Sequence, residues 1–173
     1  MQNNNLTTYV ATCLYGLERT LDEEVRERLG VGPERRWCQV AFEFAGDAAR
    51  LTELRTAHNL FLQFADMEIG HKVPDLSDLR SVLESLPLAD WAERLAAVDG
   101  AEPDSTEISV SVSRTGEHNY TYQDVEELAT DVLQEAHGRR ATLEARPLEL
   151  RIEINQEECR VYGRLTTDSL ARS

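Results

Sequence analysis

Ile108-Ser109-Val110-Ser111-Val112-Ser113 alternates apolar and small polar side chains without a break, and from Val125 onward the period changes. Alternation sends successive side chains to opposite faces, so the first run predicts a half-buried strand. Val125, Leu128, Ala129, Val132, Leu133 and Ala136 trace one face of a helix that Gly138 closes. Thr121-Tyr122-Gln123-Asp124 forms a capping box with Asp in place of Glu and marks the helix start. Leu148, Leu150, Ile152 and Ile154 alternate, Asn155 to Glu158 turns the chain, and Val161, Gly163 and Leu165 alternate again. The second half therefore reads β-α-β-β and ends in a hairpin.

Working back, Asp99-Gly100-Ala101-Glu102-Pro103-Asp104 is polar, turn-forming and without periodicity, and is the best linker candidate. Before it, Leu76, Leu79, Val82, Leu83 and Leu86 suit one helix, and Leu88, Trp91, Leu95 and Val98 another. Thr7 to Cys13 suits a strand. Leu17, Leu21, Val25 and Leu29 place one apolar stripe on a helix stopped by Gly30-Val31-Gly32-Pro33. Cys38, Val40, Phe42 and Phe44 alternate, Gly46-Asp47 opens a second helix carrying Ala48, Leu51 and Leu54, and Asn59 to Ile69 is a long strand. Residues 7–69 thus read β-α-β-α-β, with a right-handed βαβ crossover and helices on one face. The class is α+β in two small domains, divided as 1–72, a helical connector over 73–104, and 105–173.

The 173 residues carry a formal net charge of −14. That balance excludes broad coating of duplex nucleic acid, which needs many cations to replace condensed counterions. It also argues against an anionic membrane surface. No apolar run approaches the roughly 18 residues of a membrane-spanning helix. No signal-peptide core follows Met1-Gln2-Asn3-Asn4-Asn5, so the cytoplasm is expected. Cys13, Cys38 and Cys159 form no metal spacing and read as small buried hydrophobes. Gly30-Val31-Gly32 lacks the third glycine and the preceding strand of a phosphate cradle. His58, His71, His118 and His137 are never paired at metal spacing, and no nucleophile or zinc-protease motif exists. No complete active site is expected in this chain.

Several stretches together resemble a known family. Tyr9-Val10-Ala11-Thr12-Cys13-Leu14-Tyr15-Gly16-Leu17-Glu18 resembles the "ATC-x-x-GLE" opening of the THUMP-containing class I RNA methyltransferases. Leu54-Arg55-Thr56-Ala57-His58 resembles their "LRTA" segment, and Leu79 to Trp91 has the spacing of their helical connector. Arg114-x-Gly116-x-His118-x-Tyr120-Thr121 resembles the strand-to-helix entry of the THUMP domain, and Arg146-Pro147-Leu148 its later strand. The resemblance spans nearly the whole chain. It implies an N-terminal ferredoxin-like domain followed by a THUMP domain with a mixed sheet and packed helices. The catalytic domain that uses S-adenosylmethionine would lie beyond this chain, covalently linked, and Thr166 to Ser173 look like the start of the linker into it. A fragment of a larger enzyme is favoured over a stand-alone accessory module. This chain is expected to hold no cofactor and to perform no catalysis.

The resemblance also implies a partner: RNA, commonly the tRNA acceptor stem with its single-stranded 3′ end, or rRNA, positioned for a guanine-N2-type methyltransferase. Such recognition needs a few Arg for phosphates and a surface for unstacked bases. Residues 117–135 bring six carboxylates and no Lys or Arg, whereas 139–151 bring four Arg against Glu144 and Glu149. The candidate RNA-binding residues are Arg114, His118, Tyr120, Arg139, Arg140 and Arg146. Each has a plainer account. Arg114 suits pairing with the acidic helix, His118 and Tyr120 suit packing at its entry, and Arg139-Arg140 follow a helix C-terminus whose dipole favours cations. Tyr162 either covers a second packed face or stacks a base. Arg35 and Arg36 read as solvated, Trp91 as core, and Gly116 as a turn with positive φ. The rival function is a protein-interaction or scaffold module without RNA contact, which the net charge suits.

Overall fold

The computed structural model of the chain describes residues 6–100, 106–167 and Leu170. These residues fall into two compact units. One comprises the residues up to Gln63, from Trp91 to Gly100 and from Arg164 onward; the other comprises Phe64–Asp90 and the residues from Thr106 to Gly163. The class is α+β, as the sequence reading expects.

The first unit contains β1 (Thr7–Thr12), α1 (Glu18–Leu29), β2 (Glu34–Arg36), β3 (Gln39–Phe44), a 3-10 helix over Ala48–Glu53, the first residues of β4 (Leu60–Glu68) and most of α3 (Leu88–Asp99). Its strands run in the order β2-β3-β1-β4, with Glu34 opposite Ala41, Tyr9 opposite Phe42, and Tyr9 opposite Leu62. All three pairings are antiparallel. β1 and β2 therefore run parallel with β3 between them, and β3 and β4 run parallel with β1 between them, so the expected crossover over 7–69 takes a split form, α1 leading from β1 to β2 and the 3-10 helix from β3 to β4. α1 packs on β2 and β3 through Leu21, Val25 and Leu29 and stops at Gly30, whose φ of 73° closes it in the left-handed region. The expected helix after Asp47 is one short 3-10 helix. Ala48, Leu51 and Leu54 recur every three residues, which is the 3-10 period; an α-helix needs steps of four as well. The unit is closed by the segment after β8. Leu165 N–H donates to the Leu60 carbonyl (2.8 Å), Thr166 Oγ1 accepts from Leu60 N–H (3.2 Å), and Leu170 N–H donates to His58 (2.8 Å). Trp91 is wholly buried, and its Nε1–H donates to the Arg164 carbonyl at 2.9 Å.

The second unit contains the rest of β4, a 3-10 turn Val73–Leu76 that runs into α2 (Ser77–Glu84), the first residues of α3, then β5 (Glu107–Thr115), α4 (Tyr122–His137), β6 (Arg140–Thr142), β7 (Glu149–Asn155) and β8 (Glu158–Arg164). The order is β4-β8-β7-β5-β6. β5 is parallel to β6 and β7, with α4 as the crossover helix from β5 to β6; β7 and β8 form the expected antiparallel hairpin. α4 packs on α2, β5 and β6 through Val125, Ala129 and Leu133, and its end is tied by His137 Nε2 to the Leu83 carbonyl at 2.8 Å. The capping box forms as read: Thr121 Oγ1 accepts from Asp124 N–H, and the Asp124 carboxylate accepts from Thr121 N–H.

Two strands, β2 and β6, escape the sequence reading. Both are three residues long, polar and at the end of a strand order. Edge strands are kept short and charged, which removes the apolar alternation that reveals a strand. Most of the expected linker after Gly100 lies outside the described residues, as does most of the stretch expected to lead out of the chain. Among the described residues no helix is long and apolar enough to cross a membrane.

Candidate nucleic-acid interface

The loop after β5 brings three of the six candidates together and joins His71 to them. Gly116 sits at φ 120°, and a Cβ there would lie 2.7 Å from Gln156 Oε1, so the turn requires glycine. Arg114 Nη1 donates to the Gly116 carbonyl (2.8 Å) and to His118 Nδ1 (2.7 Å). A guanidinium has no acceptor, so Nδ1 is unprotonated and Nε2 carries the proton, donating it to the Gln156 carbonyl at 2.7 Å. His118 stacks on His71 with ring centroids 4.9 Å apart and lies at the same distance from Tyr120. Asn119 N–H donates to the His71 carbonyl, and Tyr120 Oη donates to Gly70 at 2.8 Å. Burial pushes the Tyr120 hydroxyl pKa up.

This arrangement is a lock holding residues 69–71, 114–121 and the β7–β8 turn. It corrects the reading of Tyr120 as an RNA contact: the side chain is 1% exposed and has no face to offer a base. Arg114 points its donors at His118 and its own loop rather than at the acidic helix.

Arg139, Arg140 and Arg146 lie at the other end of β5. Glu107, its first residue, pairs with Arg140, whereas Arg114 is seven positions further on, about 23 Å at the usual strand rise. The structure therefore does not join the two groups. Gly138 (φ 64°) turns the chain out of α4, and Arg139 N–H donates back to the Leu133 carbonyl. The Arg139 side chain is half-buried, with Nη1 3.4 Å from the His137 carbonyl. Arg140 is 80% exposed, with its nearest ion-pair partner, Glu107, at 3.9 Å. Arg146 is held fast: Nη2 reaches Glu107 at 2.6 Å and Glu144 at 3.1 Å, and these two carboxylates raise its pKa. Beside this strip, Asp124, Glu126, Glu127 and Asp131 line a cleft of about 640 Å³, whose sign repels phosphate. Tyr162 is buried and covers a packed face.

The sequence reading missed an exposed aromatic pair in the first unit. Tyr15 and Trp37 are 73% and 74% exposed, with ring centroids 4.9 Å apart. The signal was a Trp between Arg36 and Cys38, outside every apolar period. Of the two arginines expected to be solvated, Arg35 is exposed and also pairs with the buried Asp22 (2.8 Å), whereas Arg36 is largely covered and pairs with Glu34 and Gln63. Among the described residues no group of three metal-ligating side chains comes together.

No family model and no curated protein matches the chain. Solved structures do. TrmN from Thermus thermophilus is 26% identical, with a TM-score of 0.76 over 96% of this chain and 47% of its own. A predicted N6-adenine-specific DNA methylase from Listeria monocytogenes is 19% identical, with a TM-score of 0.62 over 94% of this chain and 43% of its own. A 4-thiouridine synthetase solved with RNA and ATP is 12% identical, with a TM-score of 0.63 over 91% of this chain and 41% of its own. The chain spans less than half the length of each of these three. At the identities of the last two, the likeness is one of fold.

Proposed function

We propose that the chain is the RNA-binding portion of an RNA-modifying enzyme, built on the THUMP arrangement its sequence resembles. The observation that carries this reading is the shared fold, over nine-tenths of the chain, with TrmN and with a synthetase solved in complex with RNA. The ordered motifs from Ala11 to Leu148 support it independently, and the methylase among the neighbours suits an attached methyltransferase domain. In this reading the second unit, with Phe64–Asp90 and the residues from Thr106 to Gly163, is the THUMP core, and the first unit is the ferredoxin-like domain, so the expected bounds 1–72, 73–104 and 105–173 give way to two units that interleave along the chain. The partner is an acceptor-stem RNA with its 3′ end, held for a guanine-N2-type methyltransferase domain that binds S-adenosylmethionine.

The chain's own part is placement. Arg140, with Arg139 behind it, meets a backbone phosphate at the end of β5. The acidic face of α4 repels the backbone and so restricts where the strand lies. The test is an anisotropy titration of a labelled acceptor minihelix, with and without its 3′ tail. Tighter binding of the tailed form, weakened by Arg139→Glu with Arg140→Glu, is expected. Equal binding of both forms removes the acceptor-tail assignment. No binding of either at low salt removes the RNA reading and returns the chain to the scaffold reading.

A further inference from the structure

The first unit exposes two aromatic rings in a way its own stability does not account for. Arg36 pairs with Gln39, so Trp37 and Cys38 are the two-residue loop of the β2–β3 hairpin. Such loops favour Asn, Asp and Gly because positive φ is required. Here Cys38 takes φ 56° and Trp37 stands at the tip in water. Opposite it, Gly16 takes φ 92° and presents Tyr15. One carboxylate fixes both loops: Glu18 Oε1 accepts from Gly16 N–H and Oε2 from Cys38 N–H, each at 2.9 Å. The backbone N–H of Glu18 itself, together with those of Cys38 and Gly16, holds the Glu18 pKa below the ordinary carboxylate value. Cys13 N–H donates to the Cys38 carbonyl at 2.9 Å and completes the frame. The Gly-Leu-Glu of the opening motif thus acts as a clamp for an exposed Tyr–Trp pair.

We propose that Tyr15 and Trp37 form a stacking platform for an unpaired RNA base, a second contact in addition to the Arg139–Arg140 strip. The proposal rests on the RNA-binding reading above. Each ring offers the π-face that any base accepts, and a pre-set pair loses little side-chain freedom on binding. Arg19, one residue past the clamp, and Arg35, two before Trp37, are more than half exposed but already paired with Glu23 and Asp22, so the platform contributes stacking rather than a further phosphate contact. A protein partner fits less well. Leu14, Tyr15, Leu17 and Trp37 are four side chains, against about 20–30 residues a side in a stable protein interface.

The intact chain supplies its own probe, because its two tryptophans differ: Trp37 is exposed and Trp91 is buried. A minihelix with a single-stranded 3′ tail is titrated into the protein, following RNA anisotropy and tryptophan emission together. Binding is expected to quench the emission, and an abasic tail to bind without quenching. Trp37→Ala and Tyr15→Ala should each raise Kd about tenfold, within the range for one base–aromatic stack. Trp37→Phe should restore most of the affinity, and Tyr122→Ala, on a different exposed aromatic, should change nothing. Circular dichroism checks the fold of each variant; the wild-type quench needs no variant at all. If the RNA binds while emission stays fixed and both alanine variants bind like wild type, the platform is wrong and the RNA reading stands. If wild type binds neither RNA, both fall. Self-association that Trp37→Ala abolishes, with RNA affinity unchanged, overturns the platform in favour of a contact between copies.

Discussion

Salt dependence tests the assignment of the Arg strip most directly, because the structure limits how many cations can meet phosphate. Arg140 is 80% exposed and loosely paired at 3.9 Å. Arg139 is half-buried and meets a carbonyl at 3.4 Å, and among the described residues no carboxylate pairs with it. Arg146 is 29% exposed and already neutralised by Glu107 and Glu144. Two cations are therefore available, and each engaged phosphate contributes about −0.7 (single strand) to −0.9 (duplex) to the slope of log K against log salt. The slope should be about −1.4 to −1.8, so that Kd rises roughly 7- to 12-fold between 50 and 200 mM salt. Arg140→Ala should reduce that rise to about threefold, whereas Arg146→Ala should leave the slope unchanged. Anisotropy titrations of the tailed minihelix at three salt concentrations measure it. A slope steeper than about −3, or one that Arg140→Ala does not alter, would mean that phosphates are met elsewhere.

Three further outcomes follow from buried groups. Tyr120→Phe removes the donor to the Gly70 carbonyl and should lower the urea-unfolding free energy by about 1–2 kcal/mol with the m-value unchanged; no loss would mean that the lock does not depend on this bond. Arg35 and Arg26 hold the Asp22 carboxyl below its ordinary pKa, so the folded form binds that proton less tightly than the unfolded chain. The resulting stability is complete above the unfolded value of about 3.9 and fades as pH falls through the folded value. The Tm gap between wild type and Asp22→Asn should therefore narrow below about pH 4, and a gap constant down to pH 2.5 would contradict it. Burial pushes the Cys13 and Cys159 thiols up to about 11 and 12, so at pH 8 a disulfide reagent should modify Cys38 well before either, and all three should react together once the chain is unfolded.

Elements with a strong period were legible in the sequence. The alternation of β5, β7 and β8 and the stripes of α1 and α4 each arise from one buried face, and both helices stop at a glycine where the sequence placed the stop. The failures are equally physical. The strand order of the first unit, with β3 between β1 and β2, is set by which backbones pair, and no side-chain period encodes that. β2 and β6 hide because their polar residues serve an edge. The site was half legible: Arg140 emerges exposed as its charged neighbourhood suggested, but Arg146 is consumed by Glu107, 39 positions away. Arg114, His118 and Tyr120 cluster in one loop, but Tyr120 is buried there and Arg114 and His118 are bonded to the loop itself and to the β7–β8 turn. Tyr15 and Trp37 meet across 22 positions and belong to no periodic run, so only folding reveals them as a pair.

The hydrogen bonds from Leu165, Thr166 and Leu170 back to Leu60 and His58 bear on the order of assembly during synthesis. Chains usually complete their domains from the N-terminus as they emerge. Here the unit that begins the chain lacks partners for the Leu60 amide and carbonyl, the His58 carbonyl and the Trp91 indole until the residues after Gly163 arrive. Its sheet can form early, but its closure spans more than a hundred positions and is slow for the same reason that any long-loop contact is slow. The second unit, synthesised in between, can finish first. A nascent chain of this protein would therefore display a nearly complete but unsealed first sheet, open at Leu60, until the segment after Gly163 is delivered.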